Sequence, residues 1–140
     1  MNRKKRTEIL IKGNSDLAEK IEKEIINKYE VKEMQEPNHG LVMIKVRDSA
    51  KKELFYLGEV LVTEAKYYVN GNLGIGVVVG DKEKLARSLA IIDAAYKAKV
   101  EEIEKWNKLL KAEEDSIKKK EVEEAMKILK TKVDFNTMNL

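Results

Sequence analysis

A chain of 140 residues with a formal net charge of +3 has the length of one domain, and its charge is too near balance to argue for nucleic acid. The absence of cysteine excludes disulfide frameworks, thiolate nucleophiles and cysteine-based zinc clusters, and fits a cytoplasmic location. With 43% hydrophobic and 38% charged residues, the expectation is a soluble protein with a real core under a dense ionic surface.

The basic residues interleave with acids except in Arg3-Lys4-Lys5-Arg6, which reads as a solvated terminal arm. The apolar run Ile9-Leu10-Ile11 is too short for a signal-peptide core or a membrane span. Thr7 to Lys12 is compatible with a short helix closed by Gly13 as a left-handed cap. Ser15 is the expected N-cap of a helix over Asp16–Lys28, in which Leu17, Ile21 and Ile25 recur every fourth residue.

The period then changes. Val31–Glu36 reads as a strand ended by Pro37, with Gly40 permitting a turn, and Leu41–Arg47 as a second strand. Asp48–Lys52 is a polar turn. Leu54–Thr63 continues in the strand period, with Gly58 marking a bulge. Tyr67–Val69, Asn70-Gly71 and Leu73–Val79 spell a hairpin, because the Asn-Gly turn needs positive φ. Leu73, Ile75, Val77 and Val79 share one face of the last strand. Gly74 and Gly76 leave the other bare, so a helix, a ligand or a partner chain must cover it.

Asp81 is the expected N-cap of the next helix, with Leu85, Leu89, Ile92 and Tyr96 on its apolar face and Ala86, Ala90 and Ala95 allowing close approach. Helical propensity persists from Lys97 to Thr131 in two stripes, Val100/Ile103/Trp106/Leu110 and Ile117/Val122/Ala125/Met126/Leu129. A break near Asp115-Ser116 would make two helices. The tail from Val133 to Met138 drops the pattern. The expected class is α+β: an antiparallel sheet of four to five strands, N-terminal helices and two long C-terminal helices. Residues 1–140 form a single domain in this reading, with 97–140 a helical arm and tail used in assembly.

Catalytic chemistry is poorly supported. The lone imidazole, His39, lies in a loop-like segment, and no metal-ligand spacing stands out. No catalytic, cofactor-binding or metal-binding residue is assigned, and no cofactor is expected. Gly74-x-Gly76-x-x-x-Gly80 precedes a helix, where phosphate can bind free N–H groups, yet the spacing matches neither the dinucleotide fingerprint nor the P-loop. Gly74, Gly76, Gly80 and Lys82 are therefore candidate phosphate or partner contacts. Asp93, amid small and apolar residues, needs a partner if buried: a backbone group, an arginine of the same fold, or another subunit. Trp106 is either an anchor or an interface residue. Asp93, Trp106, Asp134, Phe135 and Met138 are the candidate partner-binding residues. The competing class is a stand-alone nucleotide- or phosphate-binding module built on Gly74–Lys82.

An ordered set of segments resembles one family. Gly40-Leu41-Val42-Met43 after Pro37, Leu57-Gly58-Glu59-Val60-Leu61-Val62-Thr63, Gly74 with Gly80, Ala90-Ile91-Ile92-Asp93-Ala94, and Val133-Asp134-Phe135 with Thr137-Met138 fall in the order and spacing of the PhnG subunit of the carbon–phosphorus lyase system. The resemblance runs from about Arg6 to Met138. It implies a role in bacterial phosphonate use beside PhnI, PhnH, PhnJ and PhnL-type proteins. In that system ATP and a phosphonate are substrates of a complex that displaces adenine, and PhnI is the better seat for the chemistry. It implies no nucleic acid and no membrane, and leaves self-association open. Two positions depart from the family pattern. Gly80-Asp81-Lys82 stands where Gly-Arg-Asp is common, and His39 where Thr is more frequent, so His39 inherits no role.

Overall fold

Asn70 and Gly71 both take positive φ, 48° and 81°, as a two-residue turn matched to strand twist requires. In the computed structural model, which describes residues 2–47 and 54–138 (side chains at 15, 44–47, 54–57 and 132–138 excepted), this turn joins β2 (Leu54–Val69) to β3 (Asn72–Val79). β1 (Val31–Arg47) pairs antiparallel with β2 along its whole length, giving the order β1-β2-β3 among the described residues. The helices are α1 (Arg3–Lys12), α2 (Ser15–Lys28), α3 (Glu83–Lys97) and α4 (Ile103–Met138).

The α+β class stands, with three strands among the described residues where the sequence suggested four to five. The segments expected on either side of Pro37 are one strand. Gln35 faces Lys66 and Asn38 faces Glu64, so β1 carries an extra residue at the proline and continues. Pro37 is tolerated because β1 is an edge strand and the bulge absorbs the missing N–H. Gly40 lies mid-strand opposite Val62 and makes no turn. Leu54–Thr63 and Tyr67–Val69 likewise fuse into β2. The register does shift at Gly58, whose φ is 155°, in accord with the expected bulge. The polar turn expected at Asp48–Lys52 lies outside the described residues.

Helix boundaries differ in detail. Asn14, not Ser15, caps α2, accepting from the Asp16 amide at 3.1 Å. Asn2 caps α1 in the same way from the Lys5 amide, which lets the helix start early enough to take in the basic run. Gly13 closes α1 in an extended conformation, φ −78°, not a left-handed one. A Cβ there would lie 2.7 Å from both the Ile9 carbonyl and Glu113 Cγ, so glycine serves close approach. Asp81 does not cap α3. Lys82 occupies that position without a side-chain cap bond, and Asp81 is turned toward His39.

α4 is one helix of 36 residues, about 54 Å long, without the break expected at Asp115-Ser116. The apolar stripe is interrupted there because the helix leaves the body. Trp106 and Leu110 are fully buried, Ile117 is half-buried, and every described residue from Lys118 onward is exposed. The tail expected to lose helical form continues the helix to Met138.

α3 lies on one face of the sheet, and α1 and α2 pack on α3. Ile21, Ile25, Ile91, Ile92, Trp106 and Leu110 fill the space between the helices. Thr63, fully buried on β2, ties the β3–α3 connection: its hydroxyl donates to the Gly80 carbonyl at 2.6 Å and accepts from the Lys82 amide at 3.1 Å.

Candidate functional site

The bare glycine face is filled by α3. A Cβ on Gly74 would sit 2.1 Å from the Ala90 carbonyl and 2.3 Å from the Ala94 amide, and one on Gly76 would sit 2.2 Å from the Ala86 carbonyl. Alanines every fourth residue let the helix backbone rest directly on the strand. Gly80, at φ 95°, turns the chain out of β3 with open space beside it, and Lys82 is exposed. Of the four candidate contacts, two are covered by the protein's own helix and two stand at its start.

Asp93 and Trp106 are both internal. Asp93, 4% exposed, takes Arg6 Nη2 at 2.9 Å, Arg3 Nε at 3.2 Å and Lys97 Nζ at 3.3 Å, and accepts from the Ile75 amide at 3.0 Å. The basic run is thus no free arm, because Arg6 is buried and spent on Asp93. Arg6 also lies 4.0 Å from the Tyr96 ring centroid. Trp106 packs beside Tyr96 and donates from Nε1 to Glu24 at 3.2 Å, so it is an anchor of α4 on α2 and α3. The side chains of Asp134, Phe135 and Met138 lie outside the described residues.

Burial pushes the Tyr96 hydroxyl up to about 12 from 10.0, against the opposing pull of Arg6. The neutral phenol donates to Asn107 Oδ1 at 2.9 Å. A group raised on folding contributes stability that is whole below its unfolded pKa and is lost as pH rises through its folded one. Tyr96→Phe is therefore expected to flatten the loss of stability between pH 10 and 12 in urea melts. The wild-type advantage over the variant should shrink across that window.

Glu114 is buried at the α1–α4 contact. Burial alone would raise its carboxyl, but hydrogen bonds from Lys5 and Lys118 hold it below the usual range. Its partners, Lys5 on α1 and Lys118 on α4, make it a clamp between the two helices.

What remains at the surface is the free end of the sheet. Beyond the reach of α3, Leu41 (66% exposed), Met43 and Leu61 project from one face. Val42, Val77 and Val79 (65% exposed) project from the other. Leu41 faces Leu61 on the first face, and on the second Val42 faces Val60 and Val62 faces Val79, so the apolar surface crosses two strands on one face and all three on the other. A contiguous apolar surface of this kind on both faces of a sheet marks an interaction site.

At its border His39 Nε2 meets Asp81 Oδ1 at 2.6 Å, with Glu83 Oε1 at 3.8 Å. These three ligand atoms lie within 4.8 Å of one another, the one such trio with metal-donor chemistry among the described residues. All three residues are exposed. Sequence reading missed the trio because His39 is 42 residues from Asp81. Their alignment comes from the pairing of His39 with Thr63, which also holds the Gly80–Lys82 turn. The contact joins β1 to the start of α3 as a hydrogen bond, and as an ion pair when the imidazole is protonated.

No helix among the described residues is long and apolar enough to cross a membrane. Residues 1–139 match the family described as "Phosphonate metabolism protein PhnG". The chain is also 31% identical over 117 residues to the alpha-D-ribose 1-methylphosphonate 5-triphosphate synthase subunit PhnG of Rhizobium meliloti (strain 1021), covering 81% of this chain and 73% of that protein.

Proposed function

The chain belongs to the PhnG family of phosphonate metabolism proteins, and from that premise we propose that it is a non-catalytic or co-catalytic subunit of the complex that displaces adenine from ATP with a phosphonate. Its partners in this reading are PhnI, PhnH, PhnJ and PhnL-type proteins, and the nucleosidase chemistry resides in PhnI. The protein acts in the cytoplasm, and residues 97–140 serve assembly. The observation that carries the reading is the two-faced apolar end of the sheet. Leu41, Val42, Met43, Leu61 and Val79 are hydrophobic, exposed and contiguous, where a free-standing protein would place polar groups.

Co-expression with a PhnI-type partner tests it. Leu61→Glu is expected to abolish co-elution, because a carboxylate desolvated in an apolar contact costs several kcal/mol. The helical circular dichroism of the isolated chain should be unchanged, since Leu61 is 41% exposed. Retained co-elution of this variant would count against the docking surface. Titration of the isolated chain with ATP is expected to give no binding. Tight binding without a partner would favour the stand-alone nucleotide module.

A further inference from the structure

The start of α3 brings together three metal-donor side chains from two distant stretches of the chain. His39 lies on β1 opposite Thr63, Asp81 in the turn after β3, and Glu83 at the first position of α3. Thr63 is fully buried, and its hydroxyl holds both the Gly80 carbonyl and the Lys82 amide. The Gly80 amide donates to the Leu61 carbonyl at 2.8 Å. One central strand, β2, therefore positions both halves of the cluster.

The charges there are unbalanced. Asp81 and Glu83 share a single imidazole, and among the described residues neither forms an ion pair with a lysine or arginine. Lys82 and Lys84 are their neighbours in sequence, yet both point elsewhere. The N-terminus of α3 opposes a cation with only about half an elementary charge, against two carboxylates.

We propose that His39, Asp81 and Glu83 bind one divalent cation of the zinc type, which pins β1 to the start of α3 at the border of the apolar sheet end. Ligand atoms about 2.0–2.1 Å from zinc stand roughly 2.9–3.4 Å from one another. His39 Nε2 is 2.6 Å from Asp81 Oδ1 and 3.8 Å from Glu83 Oε1, and all three atoms fall within 4.8 Å. Both carboxylates are exposed, so side-chain rotation is free to close the difference. The imidazole decides the class of metal. It suits zinc, cobalt or nickel, whereas magnesium and calcium take oxygen ligands. Zinc takes the Nε2 lone pair, so the neutral ring carries its proton on Nδ1, and the hydrogen bond to Asp81 gives way to two bonds to the metal. This inference stands independently of the phosphonate reading.

His39 is the one histidine of the chain, so untagged protein gives a single set of imidazole signals in proton NMR. Zinc chloride added to the metal-stripped full chain is expected to shift those signals until one equivalent is bound, and isothermal titration should give one zinc per chain. His39→Ala and Asp81→Asn should each weaken binding by at least about tenfold, as loss of even a ligand's hydrogen-bond partner does. Asp16→Asn, an exposed acid elsewhere, should leave it unchanged. Excess magnesium should not compete. Competition by magnesium would mean an oxygen-only site and would overturn the assignment of class. Zinc binding that leaves the His39 signals in place, or that survives His39→Ala, would mean adventitious binding to surface carboxylates and would overturn the proposal. So would the absence of any binding. His39 and Asp81 are exposed, so the circular dichroism of both variants should remain that of the wild type.

Discussion

Gly74→Ala is expected to destabilise the protein by roughly 3–5 kcal/mol, an unusually large effect for one added methyl group. The new carbon would lie 2.1 Å from the Ala90 carbonyl oxygen and 2.3 Å from the Ala94 amide nitrogen. Neither atom belongs to a side chain that can swing away. Both are helix backbone, so α3 would have to lift from the sheet along its length, and α3 carries the densest part of the core, from Ala86 to Ala95. The control is Gly40→Ala. A Cβ there meets nothing within 4 Å, so its melting midpoint should match the wild type within the equivalent of about 0.5 kcal/mol. Urea melts of the two variants separate close packing from a general cost of losing glycine. Equal stability of Gly74→Ala and wild type would mean that α3 does not rest on β3 as described.

The glycine face was legible because both halves of the contact are written in residue size. Gly74 and Gly76 alternate on a strand, and Ala86 and Ala90 stand four apart on the following helix; the third contact is Ala94, one residue before the Ala95 expected from sequence. The Asn-Gly turn and the Gly58 bulge were legible for a similar reason, since backbone geometry alone demands those residues there. What sequence could not give was decided by distance in the chain. Arg6 and Asp93 are 87 residues apart, and nothing local distinguishes Arg6 from the solvated cations beside it. The continuity of α4 was hidden because loss of an apolar stripe has two physical causes. A helix that ends and a helix that leaves its body look alike in sequence. Pro37 misled in the same way, since a proline that breaks a central strand is tolerated in an edge strand with a bulge. The surface most useful for function, Leu41 through Val79 at the sheet end, reads in sequence as ordinary buried strand. The shortness of α3 relative to β1 and β2 exposes Leu41, Met43 and Leu61, while Val42, Val77 and Val79 are exposed because they face away from α3.

Asp93→Ala is expected to cost about 3–5 kcal/mol, the characteristic penalty for stranding a buried charge. Arg6 remains cationic at any accessible pH even though burial lowers its pKa, so it cannot escape by releasing a proton. It is 6% exposed and holds its place between Asp93 and the Tyr96 ring. The loss also strands the Ile75 amide, which donates to Asp93 from β3. One carboxylate therefore links α1, β3 and α3, and its removal should free α1 first. Hydrogen exchange should show α1 amides losing protection ahead of α3. Replacing both charges by apolar residues of similar size, Arg6→Met with Asp93→Leu, should cost less than Asp93→Ala alone, because no charge is then buried without a partner. If the double variant is instead the less stable, the ion pair contributes attraction beyond its desolvation cost. If Asp93→Ala is as stable as wild type, Arg6 is solvated and the basic run is after all a free arm.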